Sequence, residues 1–392
     1  MPHPPPPVPR LLARLIEPLY AAGIASRNRR FDRAEGVTRF PIPVISVGNL
    51  SVGGTGKTPM VALLVAELRA AGRNPCIAMR GYQPRRARRA ATPTLSDEAA
   101  LYKQTFPDLP IVAQPDRTAG LRRLLASSQQ PGAAASSGGA SSTGASGESS
   151  GGKGGKEGEG GKGGGRGVDC IVLDDGFQHR QIARDLDIVL IDASRSPFED
   201  HLLPRGWLRE PTSSLRRAHA VVITHAELAA PDALARLEAD VTHAHGRPPL
   251  AVARHAWSHL AVLDPATGAD VPRPVADLAG KRIQTVCAIG NPAPFQHAAE
   301  SIAAAPGLVT HITLPDHDPF APHTVQRITR AAADTGADLI LTTEKDWTKL
   351  AHLPPATWPV PIARPHLTLT FDRGRDALLT LALTTATRRP EE

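Results

Sequence analysis

The chain has 392 residues, 41% of them hydrophobic and 21% charged, too long for one small domain and too apolar for a disordered polymer, so about two globular domains are expected. Its formal charge of +7 is uneven: residues 1–33 hold six arginines against Glu17 and Asp32, and Arg85, Arg86, Arg88 and Arg89 form a second basic run. With aromatics at only 4%, no basic face with stacking rings for nucleic acid is expected, and local anionic partners such as lipid headgroups or phosphates fit better.

Cys76, Cys170 and Cys287 lie far apart without CxxC spacing, which excludes a disulfide framework and a thiolate zinc cluster and fits a reducing, cytosolic compartment. No run of 18 apolar residues offers a transmembrane span.

After a proline-rich start, Val8, Leu11, Leu12, Leu15, Ile16, Leu19 and Tyr20 recur at helical spacing between Arg10, Arg14 and Glu17, predicting an amphipathic helix. Arg14, Glu17 and Pro18 interrupt it too often for a signal peptide or a spanning helix. It either lies on a membrane beside Arg27, Arg29, Arg30 and Arg33 or packs on the protein body.

A buried-strand pattern at 43–47 then runs into Gly48-Asn49-Leu50-Ser51-Val52-Gly53-Gly54-Thr55-Gly56-Lys57-Thr58, which opens a helix over 57–71. This is a P-loop. Backbone N–H groups of Ser51, Val52, Gly53, Gly54, Thr55 and Gly56 would encircle phosphate oxygens, Lys57 would span the β and γ phosphates of ATP, and the Thr58 hydroxyl would hold Mg²⁺. Ser51 stands where the strict pattern has glycine.

Strands are expected at 76–79 and 111–113, with a helix at 119–126. Residues 127–167 hold sixteen glycines between Gly132 and Gly167 and almost no large apolar side chain; such a segment cannot offset its ordering entropy and reads as a disordered insertion. A strand at 170–173 ends in Asp174-Asp175, the acidic pair a P-loop needs for its metal, and Gly176-Phe177-Gln178-His179 follows, with His179 beside that metal. Strands at 188–191 and 221–224 continue the pattern. A second block has strands at 283–288, 309–314, 339–342 and 367–370 and helices at 294–304, 322–333 and 375–384. Alternating strands and helices predict an α/β fold: a P-loop NTPase-type parallel sheet domain, a second, smaller α/β domain and the N-terminal amphipathic helix. The expected divisions are 1–36, 37–270 including the insertion, and 271–392.

Thr343-Glu344-Lys345-Asp346 comes close to a guanine-reading motif, but its lysine is one position late. Taken in order, Arg80-Gly81-Tyr82, Asp97-Glu98, Asp174-Asp175-Gly176-Phe177-Gln178-His179, Leu208-Arg209-Glu210-Pro211, Gly290-Asn291-Pro292, Pro315-Asp316-His317 and Thr343-Glu344-Lys345-Asp346, together with the P-loop, resemble the tetraacyldisaccharide 4′-kinase family over about residues 11–350. Ser51 is usual in that family. The chain departs from it at Ser96 and Ala99 around Asp97-Glu98, at Arg205 and Trp207 before Leu208, and at Asp318 after His317.

The resemblance implies ATP- and Mg²⁺-dependent phosphorylation of tetraacyldisaccharide 1-phosphate at the cytoplasmic face of the inner membrane, giving lipid IVA. Asp97 would take the proton of the acceptor hydroxyl, with His317 closing over the site. From the residues alone, Asp97 reads as a helix-start carboxylate and His317 as a solvated loop histidine. A four-chain lipid stays in the bilayer, so the resemblance also favours membrane attachment of the first helix. Two rivals are a P-loop regulatory NTPase acting on a membrane protein partner and a P-loop kinase for a soluble metabolite.

Overall fold

The computed structural model describes residues 9–53, 55–81, 96–128, 167–303, 307, 309–316 and 318–388. Gly54, the arginine run at 85–89, most of the glycine-rich insertion and His317 therefore lie outside the described residues. Nine α-helices and twelve strands occur among the described residues, and the strands form one sheet.

The first half carries α1 (Arg10–Asp32), β1 (Val44–Asn49), α2 (Lys57–Ala70), β2 (Pro75–Met79), α3 (Asp97–Thr105), β3 (Ile111–Ala113), α4 (Arg117–Ser128), β4 (Cys170–Asp174), β5 (Leu186–Asp192), β6 (Ala220–Thr224) and α5 (Pro231–His245). The second carries β7 (Ala251–Leu263), β8 (Asp270–Arg273), β9 (Ile283–Cys287), α6 (Ala293–Ala303), β10 (Val309–Thr313), α7 (Pro322–Asp334), β11 (Leu339–Thr342), α8 (Glu344–Leu350), β12 (Ile362–Arg373) and α9 (Arg375–Thr387).

The strand order is β10-β9-β11-β12-β7-β6-β5-β1-β4-β2-β3, with β8 on β7. Pairing is parallel except where β7 meets β12 and β8, so the expected parallel sheet holds apart from one antiparallel ribbon joining its halves. β1, β2, β4, β5 and β6 are buried at every position, as strands covered on both faces must be, which is why they read as unbroken apolar runs. β1 lies between β4 and β5. Because all three run the same way, the P-loop, the Asp174-Asp175 turn and Asp192 emerge at one sheet edge, where α/β proteins bind ligands.

Helices α2 and α9 cover one face of this half, Met60, Val61, Leu64 and Leu68 packing in one core with Leu378, Leu379, Ala382 and Ala386. The last helix thus returns to the P-loop side instead of packing on the second block. A separate core holds Val286, Ile328, Ile340, Trp347, Trp358 and Ile362.

Helix α1 runs through Pro18 and is attached by its polar side. Tyr20 donates to the Arg209 carbonyl at 3.1 Å, Glu17 accepts from Arg205 at 3.1 Å, and Arg27 and Asn28 donate to Glu210 at 3.1 and 3.2 Å. Leu11, Leu12, Leu15 and Leu19 are left between 48% and 78% exposed. That inverts the usual arrangement, in which the apolar stripe covers a core.

Candidate functional site

Gly56, at φ +77°, turns the chain into α2 and places Lys57 on its first turn. Lys57 Nζ donates to Asn49 Oδ1 at 3.2 Å and lies 3.5 Å from Asp175. Asp175 also accepts from Arg209 at 2.8 and 2.9 Å. Burial disfavours its charge, but Lys57 and Arg209 outweigh this and hold the carboxyl well below the usual carboxylate range. Asp175 itself has φ +54°; such strain in a non-glycine residue persists where surrounding contacts hold it. Gly176 N donates to the Val47 carbonyl at 3.0 Å and Gln178 to the Asn49 carbonyl at 2.8 Å, fastening the acidic turn to the P-loop strand. A Cβ on Gly48 would meet Phe177 Cβ at 2.5 Å, so glycine is what lets β1 approach that turn.

The neighbouring Asp174 is buried and accepts from Tyr102 Oη at 3.0 Å. Burial, with Glu98 and Asp175 adding their charges, pushes its carboxyl up to about 6 despite Lys57. The two adjacent acids thus differ: Asp175 is neutralised by protein cations, whereas Asp174 lacks an equivalent partner. Arg117 braces both, donating to the Asp174 and Asp175 carbonyls at 3.0 and 3.2 Å.

Asp97 opens α3 behind its N-cap Ser96, whose hydroxyl accepts from Ala99 N at 3.3 Å. Its carboxylate meets Lys349 of α8 at 2.9 Å. The helix-start reading is therefore met, and Asp97 in addition pairs across to the second half of the sheet. His179 is half-buried and lines a cavity with Gly36, Thr38, Asp116 and Gln181. Burial and the charges of Arg117 and Arg184 push it down to about 4, leaving it neutral at pH 7. Asp346 of the Thr343-Glu344-Lys345-Asp346 run is buried and structural, accepting from Ala288 N at 3.0 Å and Thr343 Oγ1 at 2.7 Å.

The profile of the tetraacyldisaccharide-1-P 4′-kinase family matches residues 9–380. The chain belongs to the tetraacyldisaccharide 4′-kinase family. It is 38% identical over 350 residues to the tetraacyldisaccharide 4′-kinase of Anaeromyxobacter dehalogenans strain 2CP-C, covering 86% of this chain and 80% of that one. The enzyme of the same name from Parabacteroides distasonis is 30% identical over 353 residues, with 87% and 84% covered. The fold is similar to that of a crystal structure described as the "apo" form of LpxK from Aquifex aeolicus in complex with ATP, at TM-score 0.63 and 24% identity over 96% of this chain and 99% of that one.

Within this kinase family fold, sequence reasoning singled out the two acids and Lys57 but missed Tyr102, Arg117 and Lys349. Tyr102 and Lys349 lie downstream of the motifs that open α3 and α8, and Arg117 opens α4, which carries none; only pairing in space reveals the three. Two departures from the family pattern make side-chain contacts: Arg205 binds Glu17 of α1, and Trp207 lies under Arg195. Of the arginines expected at a membrane, Arg27 is instead committed to Glu210, which Arg217 also holds at 2.6 Å.

Proposed function

We propose that this protein transfers the γ-phosphate of ATP to the 4′-hydroxyl of tetraacyldisaccharide 1-phosphate, acting as a peripheral enzyme at the cytoplasmic face of the inner membrane. The observation that carries the reading is the meeting of Lys57, Asp174 and Asp175 at the mouth of the P-loop in a chain of this family. The backbone of Ser51–Gly56 would bind the phosphates, with Lys57 neutralising the transferred group.

Thr58 and the Asp174-Asp175 pair would hold Mg²⁺: hydroxyl and carboxylate oxygens are hard donors suited to it, and the reluctance of buried Asp174 to ionise is what a nearby cation reverses. When bound, the metal would supply neutralisation of phosphate charge. Asp97 is proposed to accept the acceptor proton, a task that asks more of positioning than of basicity, with His317 assisting and His179 supporting the acidic turn as a neutral imidazole. The cleft between blocks 37–270 and 271–392 is proposed to enclose the sugar. No helix among the described residues is long and apolar enough to cross a membrane, and the outward leucines of α1 support attachment to the bilayer surface.

The deciding measurement is phosphate transfer from labelled ATP to tetraacyldisaccharide 1-phosphate in mixed micelles. Folded protein that labels no lipid overturns the proposal, and Lys57→Ala should lose nearly all turnover.

A further inference from the structure

The segment before Glu210 lies against the P-loop and brings a second arginine to it. Ser51 pairs antiparallel with Leu208, Val52 N donates to the Trp207 carbonyl at 2.8 Å, and Arg209 N donates to the Leu50 carbonyl at 2.8 Å. Arg195, just after β5, lays its guanidinium over the Trp207 ring with Cζ 5.3 Å from the centroid, and its Nη2 donates to Asp200 at 3.1 Å. Stacking and ion pair together fix the guanidinium plane.

One end of that guanidinium is left over. Arg195 Nη1 is buried and meets no acceptor. The cleft that Arg195 lines is walled by Ser51, Val52, Gly53 and Thr55 of the P-loop, by Asp192, and by Asn291 from the second half of the sheet. Asp192 does not claim the spare donor: its Oδ1 accepts from Ser194 N and Oγ at 2.9 and 2.6 Å and faces His225 at 3.2 Å. A buried N–H without an acceptor is costly, and a planar guanidinium matches phosphate oxygens in pairs.

We propose that Arg195 is a phosphate-binding arginine of the nucleotide site, its free edge meeting β- and γ-phosphate oxygens and stabilising the charge that develops on the transferred group. Trp207 and Asp200 hold it in place before the nucleotide arrives. The inference rests on reading the P-loop as the ATP site, and it adds a cation supplied by the chain itself besides Lys57.

The test compares wild type with Arg195→Met, which keeps the apolar stem on Trp207, and Arg195→Lys, which keeps the charge without the fork. Arg195→Met should lose about a thousandfold in kcat, at the lower end of what phosphate-facing arginines contribute. Its affinity for AMP-PNP should fall at least about tenfold while its affinity for AMP stays within about twofold, since AMP lacks both phosphates; Arg195→Lys should be intermediate. Turnover within about threefold of wild type, or equal weakening of AMP and AMP-PNP, overturns the proposal in favour of a packing role. Should Arg195→Met not fold, Arg195→Lys carries the same nucleotide comparison. If wild type itself neither binds AMP-PNP nor labels lipid, the kinase reading fails instead.

Discussion

Lys349 and Asp97 form a 2.9 Å ion pair that ties α8 to the first residue of α3. Lys349 Nζ also donates to the Asp318 carbonyl at 3.2 Å, so the carboxylate proposed to receive the acceptor proton is held by a cation that is itself anchored on Asp318. Lys349→Met should keep the fold, at a cost of about 0.5–1 kcal/mol for a partly exposed pair. It should lower kcat by roughly tenfold to a hundredfold through loss of positioning and leave the KM for ATP unchanged, because Lys349 has no bond to the P-loop among the described contacts. Unchanged kcat in steady-state lipid phosphorylation would show that Asp97 needs no such brace.

Tyr102 is 1% exposed and its hydroxyl donates to Asp174 while also meeting the Thr58 hydroxyl. Tyr102→Phe should destabilise the protein by about 1–2 kcal/mol, the cost of a buried hydrogen bond to a carboxyl group. If Asp174 holds the metal, the Mg²⁺ concentration giving half-maximal turnover should rise about tenfold, as when an outer partner of a metal ligand is removed. Titrating Mg²⁺ at saturating ATP measures this, and an unchanged midpoint would place the metal on other oxygens.

How much of this was legible depended on whether the signal was local. The P-loop and the strand ending in Asp174-Asp175 could be read directly, because a parallel strand buried on both faces is a short apolar run whose next residues must lie at the ligand edge. Strand β7 was missed: Arg254, His255 and His259 interrupt its pattern because much of its length lies in a two-stranded ribbon, half exposed. Helix α9 was placed correctly along the chain but packs on α2, a long-range choice that periodicity does not encode. The partnership of the two acids with different neighbours was equally invisible, since Tyr102, Arg117 and Arg209 come from three separate segments.

The exposed stripe of α1 yields a prediction that separates attachment from folding. Leu15 and Leu19 are 72% and 73% exposed, so charging them removes no core packing. Leu15→Glu with Leu19→Glu should leave the melting temperature within a few degrees of wild type and abolish co-sedimentation with anionic liposomes. Activity on lipid in vesicles should fall far more than activity on detergent-dispersed lipid. Retained liposome binding would shift the attachment to other surfaces.

Acid stability should carry the mark of the histidines at the sheet edge. His255 lies against Gly56, where an added Cβ would meet its Nε2 at 2.5 Å. Burial, with the charge of His225 adding to it, pushes His255 down to about 3. In the unfolded chain a histidine titrates near 6.5, so below that pH the unfolded state takes up a proton that the folded state refuses. The stability involved is complete above about pH 6.5 and is lost as pH falls toward 3, by up to about 1.4 kcal/mol per pH unit for one fully buried histidine. Asp174, whose carboxyl is raised, works in the opposite sense between about pH 6 and pH 4, but it is common to wild type and to His255→Gln and cancels in their difference. Urea unfolding from about pH 7 to pH 4.5 should therefore give a shallower decline for His255→Gln than for wild type. Parallel declines would mean that His255 accepts its proton inside the fold.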